Sequence, residues 1–96
     1  MRNRFLVTYD VSDDRRLRQV FKRLRQFGLH VQLSVFECEL SPRELALLRA
    51  SLDEVIHHEE DQVIIADLGP AEGRGSECLS SMGRKYEPMR RKAVVV

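Results

Sequence analysis

Asp10 is the residue of this sequence best placed to do chemistry. It ends the apolar, β-branched segment of residues 4–10 and precedes the polar cluster of residues 12–14, and functional groups are often displayed where a strand runs into a loop. A carboxylate there could hold Mg²⁺, which prefers oxygen ligands and keeps most of its waters for a phosphate substrate. The simpler alternative is that Asp10 only opens the turn, because aspartate is favoured at turn positions.

A single carboxylate makes a weak metal site. If a two-fold axis brought Asp10 of two chains together, the pair could hold one metal ion, and a symmetric dimer would be part of the mechanism. Asp13 and Asp14 are less suitable ligands, because they are predicted in the first turn of a helix, where they favour its dipole. The acidic, histidine-containing stretch of residues 57–61 resembles a metal cluster only by composition, and we interpret it as a solvated loop.

Six basic residues follow Asp10 and could contact phosphates, because guanidinium groups bind phosphate bidentately. With only Asp13 and Asp14 nearby, this set favours an anion-binding surface over an ordinary solvated helix face. Tyr9 and Phe36 could stack on a base or a ribose, although aromatic residues in strands more often pack in a core or an interface. The basic residues are Arg15, Arg16, Arg18, Lys22, Arg23 and Arg25.

Length and composition indicate one small domain. The 96 residues, 43% hydrophobic and 32% charged, suit a single globular core that would gain burial by pairing with a second copy. No apolar run is long enough to span a membrane or resembles a signal peptide, so we expect a cytoplasmic protein without a membrane partner. The net charge of +1 hides segregation: residues 1–27 carry +5, residues 28–83 carry −8 and residues 84–96 carry +4. Near-neutrality therefore does not exclude nucleic acid.

The elements that must position these residues follow from periodicity. Residues 4–10 are predicted as a strand and residues 14–27 as an amphipathic helix with Ser12 as N-cap and Gly28 just past its end. In residues 30–40 the apolar positions change from odd to even numbers at Val35 and Phe36, which predicts two strands hinged near Ser34. Ser41 and Glu44 form a capping box for a second helix.

The remaining segments complete a recognisable order. Residues 63–68 are predicted as a strand buried on both faces, and residues 78–82 as a short extra strand. Strand, helix, two strands, helix, strand matches a ferredoxin-like βαββαβ sandwich of the α+β class. We expect one domain over residues 1–96, with its core in residues 1–70 and an extra strand and tail in residues 76–96.

Two segments resemble the CRISPR-associated protein 2 family, the small partner of the integrase in CRISPR spacer acquisition. Residues 9–28, YDVSDDRRLRQVFKRLRQFG, look like the family's strand, aspartate turn and basic helix, and residues 31–42, VQLSVFECELSP, look like its second motif. The resemblance covers about the first 70 residues. It implies a ferredoxin-like homodimer in which the extra C-terminal strand joins the partner's sheet.

The resemblance also implies residue roles. The family's metal-binding aspartate falls on Asp10, its early helix arginines fall on Arg15, Arg16 and Arg18, and its Ser-Val-Phe motif falls on residues 34–36. The candidate nucleic-acid-binding residues are therefore Tyr9, Arg15, Arg16, Arg18, Ser34 and Phe36. This chain has His30 where many relatives carry arginine, and neutral imidazole binds phosphate less well than guanidinium.

Three functions remain open at this stage. The first is an adaptation protein that binds duplex nucleic acid as a dimer and cleaves RNA or double-stranded DNA as a Mg²⁺-dependent endonuclease. The second is a non-catalytic scaffold that bridges the CRISPR integrase and protospacer DNA, with a structural Asp10. The third is a toxin-like RNase related only by fold.

Overall fold

The chain forms a four-stranded antiparallel sheet with two helices. The computed structural model describes residues 1–86; residues 87–96 of the predicted tail lie outside them. The elements are β1 (Asn3–Asp10), α1 (Asp14–Leu24), β2 (Gly28–Gln32), β3 (Val35–Leu40), α2 (Pro42–Asp53) and β4 (Gln62–Pro70), followed by a single 3-10 turn, Arg74–Ser76. The sheet order is β2-β3-β1-β4, which confirms the predicted ferredoxin-like α+β fold.

The core lies between one face of the sheet and the two helices. Residues 5, 7 and 9 of β1 are buried and pair with β3 through Phe5–Cys38 and Val7–Phe36. The helices contribute Val20 and Leu24 from α1 and Leu48 and Leu52 from α2 to the same cluster. Strand β1 is therefore held on three sides, and its last residue, Asp10, lies at a defined position where this central strand ends.

The predicted break near Ser34 is confirmed. Residues 33–34 form the turn between β2 and β3, and the irregular pairing between His30 and Gln32 shifts the register there. Ser41 Oγ accepts the backbone N–H of Glu44, and Glu44 Oε1 accepts the N–H of Ser41, at 3.1 and 2.9 Å. The capping box that the sequence predicts therefore starts α2.

The first helix differs from its prediction at both ends. Asp13, not Ser12, is the N-cap, and its carboxylate accepts the N–H of Arg16 at 2.9 Å. The helix stops at Leu24 because Gly28 already belongs to β2, where a Cβ would clash with the backbone of Glu37 and with Cys38. Glycine is required there by this close approach of two strands rather than by a helix end.

Two predicted strands also need correction. Strand β4 lies at the edge of the sheet, and Ile64 is 53% exposed, so in the single chain only one of its faces is covered. Residues 78–82 form no strand in the described part of the chain, where a strand would need a neighbouring edge with which to pair. Within residues 1–86 no helix is long and apolar enough to cross a membrane.

Candidate functional site

The candidate site lies at the carboxyl end of β1. Asp10 is exposed there and pairs with Gln62, the first residue of β4. One residue earlier, the Tyr9 N–H donates to the carbonyl of Ser34 at 3.1 Å. Asp10, the turn that contains Ser34 and the start of β4 thus lie at the same end of the sheet. The chain leaves this end of the sheet to enter α1.

Tyr9 and Phe36 belong to the core rather than to this surface. Phe36 is fully buried and Tyr9 is 6% exposed, their ring centroids are 6.2 Å apart, and burial raises the pKa of the Tyr9 hydroxyl. A base could stack on either ring only if the core opened. Their packing holds the end of β1 in place, and the backbone N–H of Tyr9 links it to the turn that contains Ser34.

Helix α1 carries an exposed basic stripe. Its four members are spaced at i, i+3, i+7 and i+10, which places them on one side of the helix. No carboxylate among residues 1–86 forms an ion pair with any of them. Their charges therefore remain available to a polyanion. The basic stripe consists of Arg15, Arg18 and Lys22 of α1 and of Arg25, the C-cap residue that follows it.

The other two basic residues of the predicted set are engaged within the chain. Arg16 Nε donates to Asp61 Oδ2 at 2.8 Å and its Nη2 donates to Glu60 Oε1 at 3.2 Å. Arg23 Nη1 lies 2.8 Å from Glu54 Oε1. The six cations that the sequence groups together thus separate into four exposed and two paired.

Asp61 is a structural residue that the sequence pattern did not reveal. Its side chain is fully buried, and besides Arg16 it accepts the backbone N–H groups of Ser12 at 3.4 Å and His57 at 2.8 Å. The hydrogen bond from Arg16 lowers the pKa of Asp61 to about 2. Residues 57–60 are solvated as predicted, but Asp61 anchors this loop to the start of α1.

Glu37 is a second buried acid that the strand pattern missed. It is 1% exposed, and its Oε2 lies 3.1 Å from Arg4 Nη1 without the alignment of a hydrogen bond. Burial raises the pKa of Glu37. Glu37 lies on the sheet face opposite the helices, next to Leu6 of β1, far along the sheet from Asp10.

His30 packs against the aromatic cluster instead of extending toward a ligand as arginine would. Its ring centroid lies 5.0 Å from those of both Phe21 and Phe36. Its Nε2 is 3.2 Å from the carbonyl of Leu33. The ring therefore braces the β2–β3 turn from its own strand.

Asp10, the candidate metal ligand, can provide only half of a site for a divalent cation. The carboxylate of Asp10 is exposed and accepts no hydrogen bond from residues 1–86. However, no three His, Cys, Asp or Glu side chains of the described chain are grouped closely enough to hold a metal ion. A resident Mg²⁺ would therefore need further ligands from outside residues 1–86.

Sequence comparisons relate the chain to one protein family. The sequence model of the family described as CRISPR associated protein Cas2 matches residues 3–73. The chain is 41% identical, over the full length of both sequences, to a "CRISPR-associated endoribonuclease Cas2" of Geobacter sulfurreducens. It is 38% identical to one of Rhodospirillum rubrum, covering 96% of this chain and 89% of that protein.

Solved structures show the same relationship. The crystal structure of Streptococcus pyogenes Cas2 superimposes with a TM-score of 0.71 and 32% identity, over 83% of this chain and 99% of that one. A hypothetical protein of Thermus thermophilus gives a TM-score of 0.80 and 30% identity, over 92% and 99% of the two chains. The chain belongs to the CRISPR-associated Cas2 family.

Proposed function

We propose that this chain is a CRISPR adaptation protein that binds duplex nucleic acid as a homodimer and hydrolyses phosphodiester bonds in RNA or double-stranded DNA. The observation that carries the proposal is the exposed carboxylate of Asp10, at the edge from which the basic stripe of α1 begins. Support also comes from the relatives in Geobacter sulfurreducens and Rhodospirillum rubrum, whose names describe endoribonucleases.

The basic stripe supplies the nucleic-acid contact in this proposal. Arg15 and Arg18 lie in the first half of α1, close in sequence to Asp10, and Lys22 and Arg25 continue the same side. Guanidinium groups neutralise phosphate charge and fix a backbone relative to the protein. The stripe would therefore hold a strand in register while Asp10 faces a scissile phosphate.

The metal in this proposal is a divalent cation, Mg²⁺ in the simplest case, held by Asp10 of two copies. When bound, it would supply positive charge at the phosphate and a more acidic coordinated water. Residues 1–86 offer a single suitable carboxylate, and the proposal therefore takes the second one from Asp10 of the other copy in a homodimer. The residues of this chain contribute the carboxylate, the phosphate contacts and the rigid sheet edge that holds both.

A cleavage assay tests the proposal. Wild type, Asp10→Ala and the matched control Glu59→Gln, which alters an exposed acid in the loop before β4, are sized to confirm dimers. Each is then incubated with labelled RNA and with duplex DNA, in Mg²⁺ and in EDTA. We expect Asp10→Ala to cut no faster than wild type in EDTA, while Glu59→Gln cuts normally. Equal cutting by Asp10→Ala would overturn the proposal.

The second candidate is a non-catalytic scaffold that binds both DNA and the CRISPR integrase. It is favoured by the lack of a three-ligand metal cluster in the described chain together with the four exposed cations of the stripe. In that case Asp10→Ala and wild type would both bind duplex and neither would cut. Both proteins would also support spacer integration equally when supplied with the integrase.

A further inference from the structure

The ion-pair network around Asp61 has no role in the proposed chemistry, although it lies beside Asp10. Asp61 is the residue immediately before β4, and the next residue, Gln62, pairs with Asp10 across the sheet. The two oxygens of its buried carboxylate accept hydrogen bonds from Ser12, Arg16 and His57, at 2.8 to 3.4 Å.

This network connects the three segments that surround Asp10. Ser12 lies in the turn that follows β1, Arg16 lies in the first turns of α1, and His57 lies in the loop after α2. A buried carboxylate that joins three segments through four hydrogen bonds restricts each of them, because moving any one segment takes at least one hydrogen-bond donor away from a buried charge. The direction in which the chain leaves Asp10 is therefore set by Asp61.

Arg16 is engaged in a way that its neighbours are not. Its guanidinium bonds to both Asp61 oxygens and to Glu60, and its side chain is 24% exposed. The hydrogen bond to Asp61 raises the pKa of Arg16 and lowers that of Asp61, so both partners are charged at neutral pH. To reach a phosphate, this guanidinium would have to leave a buried carboxylate, whereas Arg15 and Arg18 are already exposed.

We infer that Arg16 and Asp61 are positioning residues that hold the Asp10 turn, and that Arg16 is not a phosphate ligand. The inference rests on the proposed function, since it gives Asp10 the role of a metal-binding carboxylate. It also separates Arg16 from Arg15 and Arg18, with which the sequence groups it.

Salt-dependent binding is the first test. Binding to a labelled duplex is measured by fluorescence anisotropy in 50 to 200 mM salt for wild type, Arg15→Gln and Arg16→Gln. Each lost phosphate contact reduces the steepness of the negative slope of log K against log salt by about 0.9, or by about 1.8 if both copies in a dimer contact the duplex. We expect that decrease for Arg15→Gln and an unchanged slope for Arg16→Gln. An equal decrease in both variants would overturn the inference.

Asp61→Asn tests the positioning role, with Glu54→Gln as the matched control. Glu54 pairs with Arg23 at 2.8 Å and also joins α1 to the end of α2, but at the opposite end of α1 from Asp10. We expect faster amide hydrogen exchange in residues 11–14 of Asp61→Asn, and not in Glu54→Gln. Cleavage should lose on the order of tenfold in kcat with little change in KM, because reacting groups tolerate little misplacement.

The outcomes separate this inference from the proposed function. Asp61→Asn must bind the same amount of duplex at saturation, per mole of protein, as wild type does. This control excludes a simple loss of folded protein. Unchanged exchange and unchanged kcat in Asp61→Asn would overturn the positioning role while leaving the nuclease proposal intact. A wild type that neither binds duplex nor cuts would overturn the proposed function, and would be seen before any variant is compared.

Discussion

Replacing Arg18 with glutamine removes one exposed charge from the middle of the basic stripe. Arg18 has no ion-pair partner among residues 1–86, so the substitution leaves no carboxylate behind without its cation. Any change in nucleic-acid binding then reports the lost contact itself. The double variant with Lys22→Gln extends the perturbation along the same face of α1.

The size of the effect follows from the geometry of the stripe. Arg15 and Arg25 are ten residues apart, which is about 15 Å along a helix at about 1.5 Å per residue. Phosphates on one DNA strand advance by about 3.4 Å each along the duplex axis, so four cations over this length match about four phosphates. Each contact contributes a slope of about −0.9, and one complete stripe contributes about −3.6.

These slopes translate into measurable losses of affinity. Between 50 and 200 mM salt, binding through one complete stripe should weaken about 150-fold, and through a stripe that lacks Arg18 about 40-fold. If both stripes of a dimer contact one duplex, each substitution changes the slope by about 1.8 instead of 0.9. The double variant Arg18→Gln/Lys22→Gln should change the salt-dependence slope by twice as much as Arg18→Gln alone.

Fluorescence anisotropy with a labelled duplex measures these slopes directly. Arg43→Gln is the matched control, because Arg43 is an exposed arginine in the first turn of α2, outside the stripe, and its slope should equal that of wild type. If the slope of Arg18→Gln equals that of wild type, or if the slope of Arg43→Gln becomes less steep by the same amount as that of Arg18→Gln, nucleic acid does not bind this face of α1.

Three further predictions concern stability. Ser41→Ala removes one half of the α2 capping box and should lower the free energy of unfolding by about 1 kcal/mol, measured by urea denaturation; an unchanged midpoint would contradict this role of the cap. Burial raises the pKa of Glu37 from its ordinary value of 4.5. Wild type should therefore lose the contribution of Glu37 to its free energy of unfolding as the pH rises above about 4.5, whereas Glu37→Gln should not show this loss. Parallel curves of stability against pH for the two proteins would contradict the raised pKa of Glu37. Because the pKa of Asp61 is lowered from 3.8 to about 2, its contribution to stability is present above pH 3.8 and lost as the pH falls toward 2. Acid denaturation of Asp61→Asn should lack about 1 kcal/mol of this loss, a figure reduced for solvent screening at the partly exposed Arg16. Identical acid transitions in wild type and Asp61→Asn would count against the ion pair.

The order of elements could be predicted because local signals agree with the tertiary structure. The change of apolar parity at Val35 and Phe36 located the β2–β3 turn, and Ser41 with Glu44 located the start of α2. These signals depend only on residues a few positions apart. The end of α1 was predicted too late, because the requirement for glycine at position 28 comes from Cys38 and Glu37 across the sheet.

The candidate site was only partly predictable for the same reason. Exposure of Asp10, Arg15 and Arg18 follows from their place at a strand end and on a polar helix face. The pairing of Arg16 with Asp61 joins residues 45 positions apart. No local pattern in residues 57–61, HHEED, marks one of the three acids as the buried one. The burial of Tyr9 and Phe36 likewise depends on how α1 packs over the sheet.

The claim that two copies of Asp10 form one site is tested most directly by mixing chains. Wild type and Asp10→Ala are combined in equal amounts, exchanged into random dimers and assayed for Mg²⁺-dependent cleavage. If both carboxylates are needed, only wild-type pairs are active and the rate should fall to about one quarter of the wild-type rate at the same total concentration. A rate of about one half would show that each chain acts alone and would contradict the shared site.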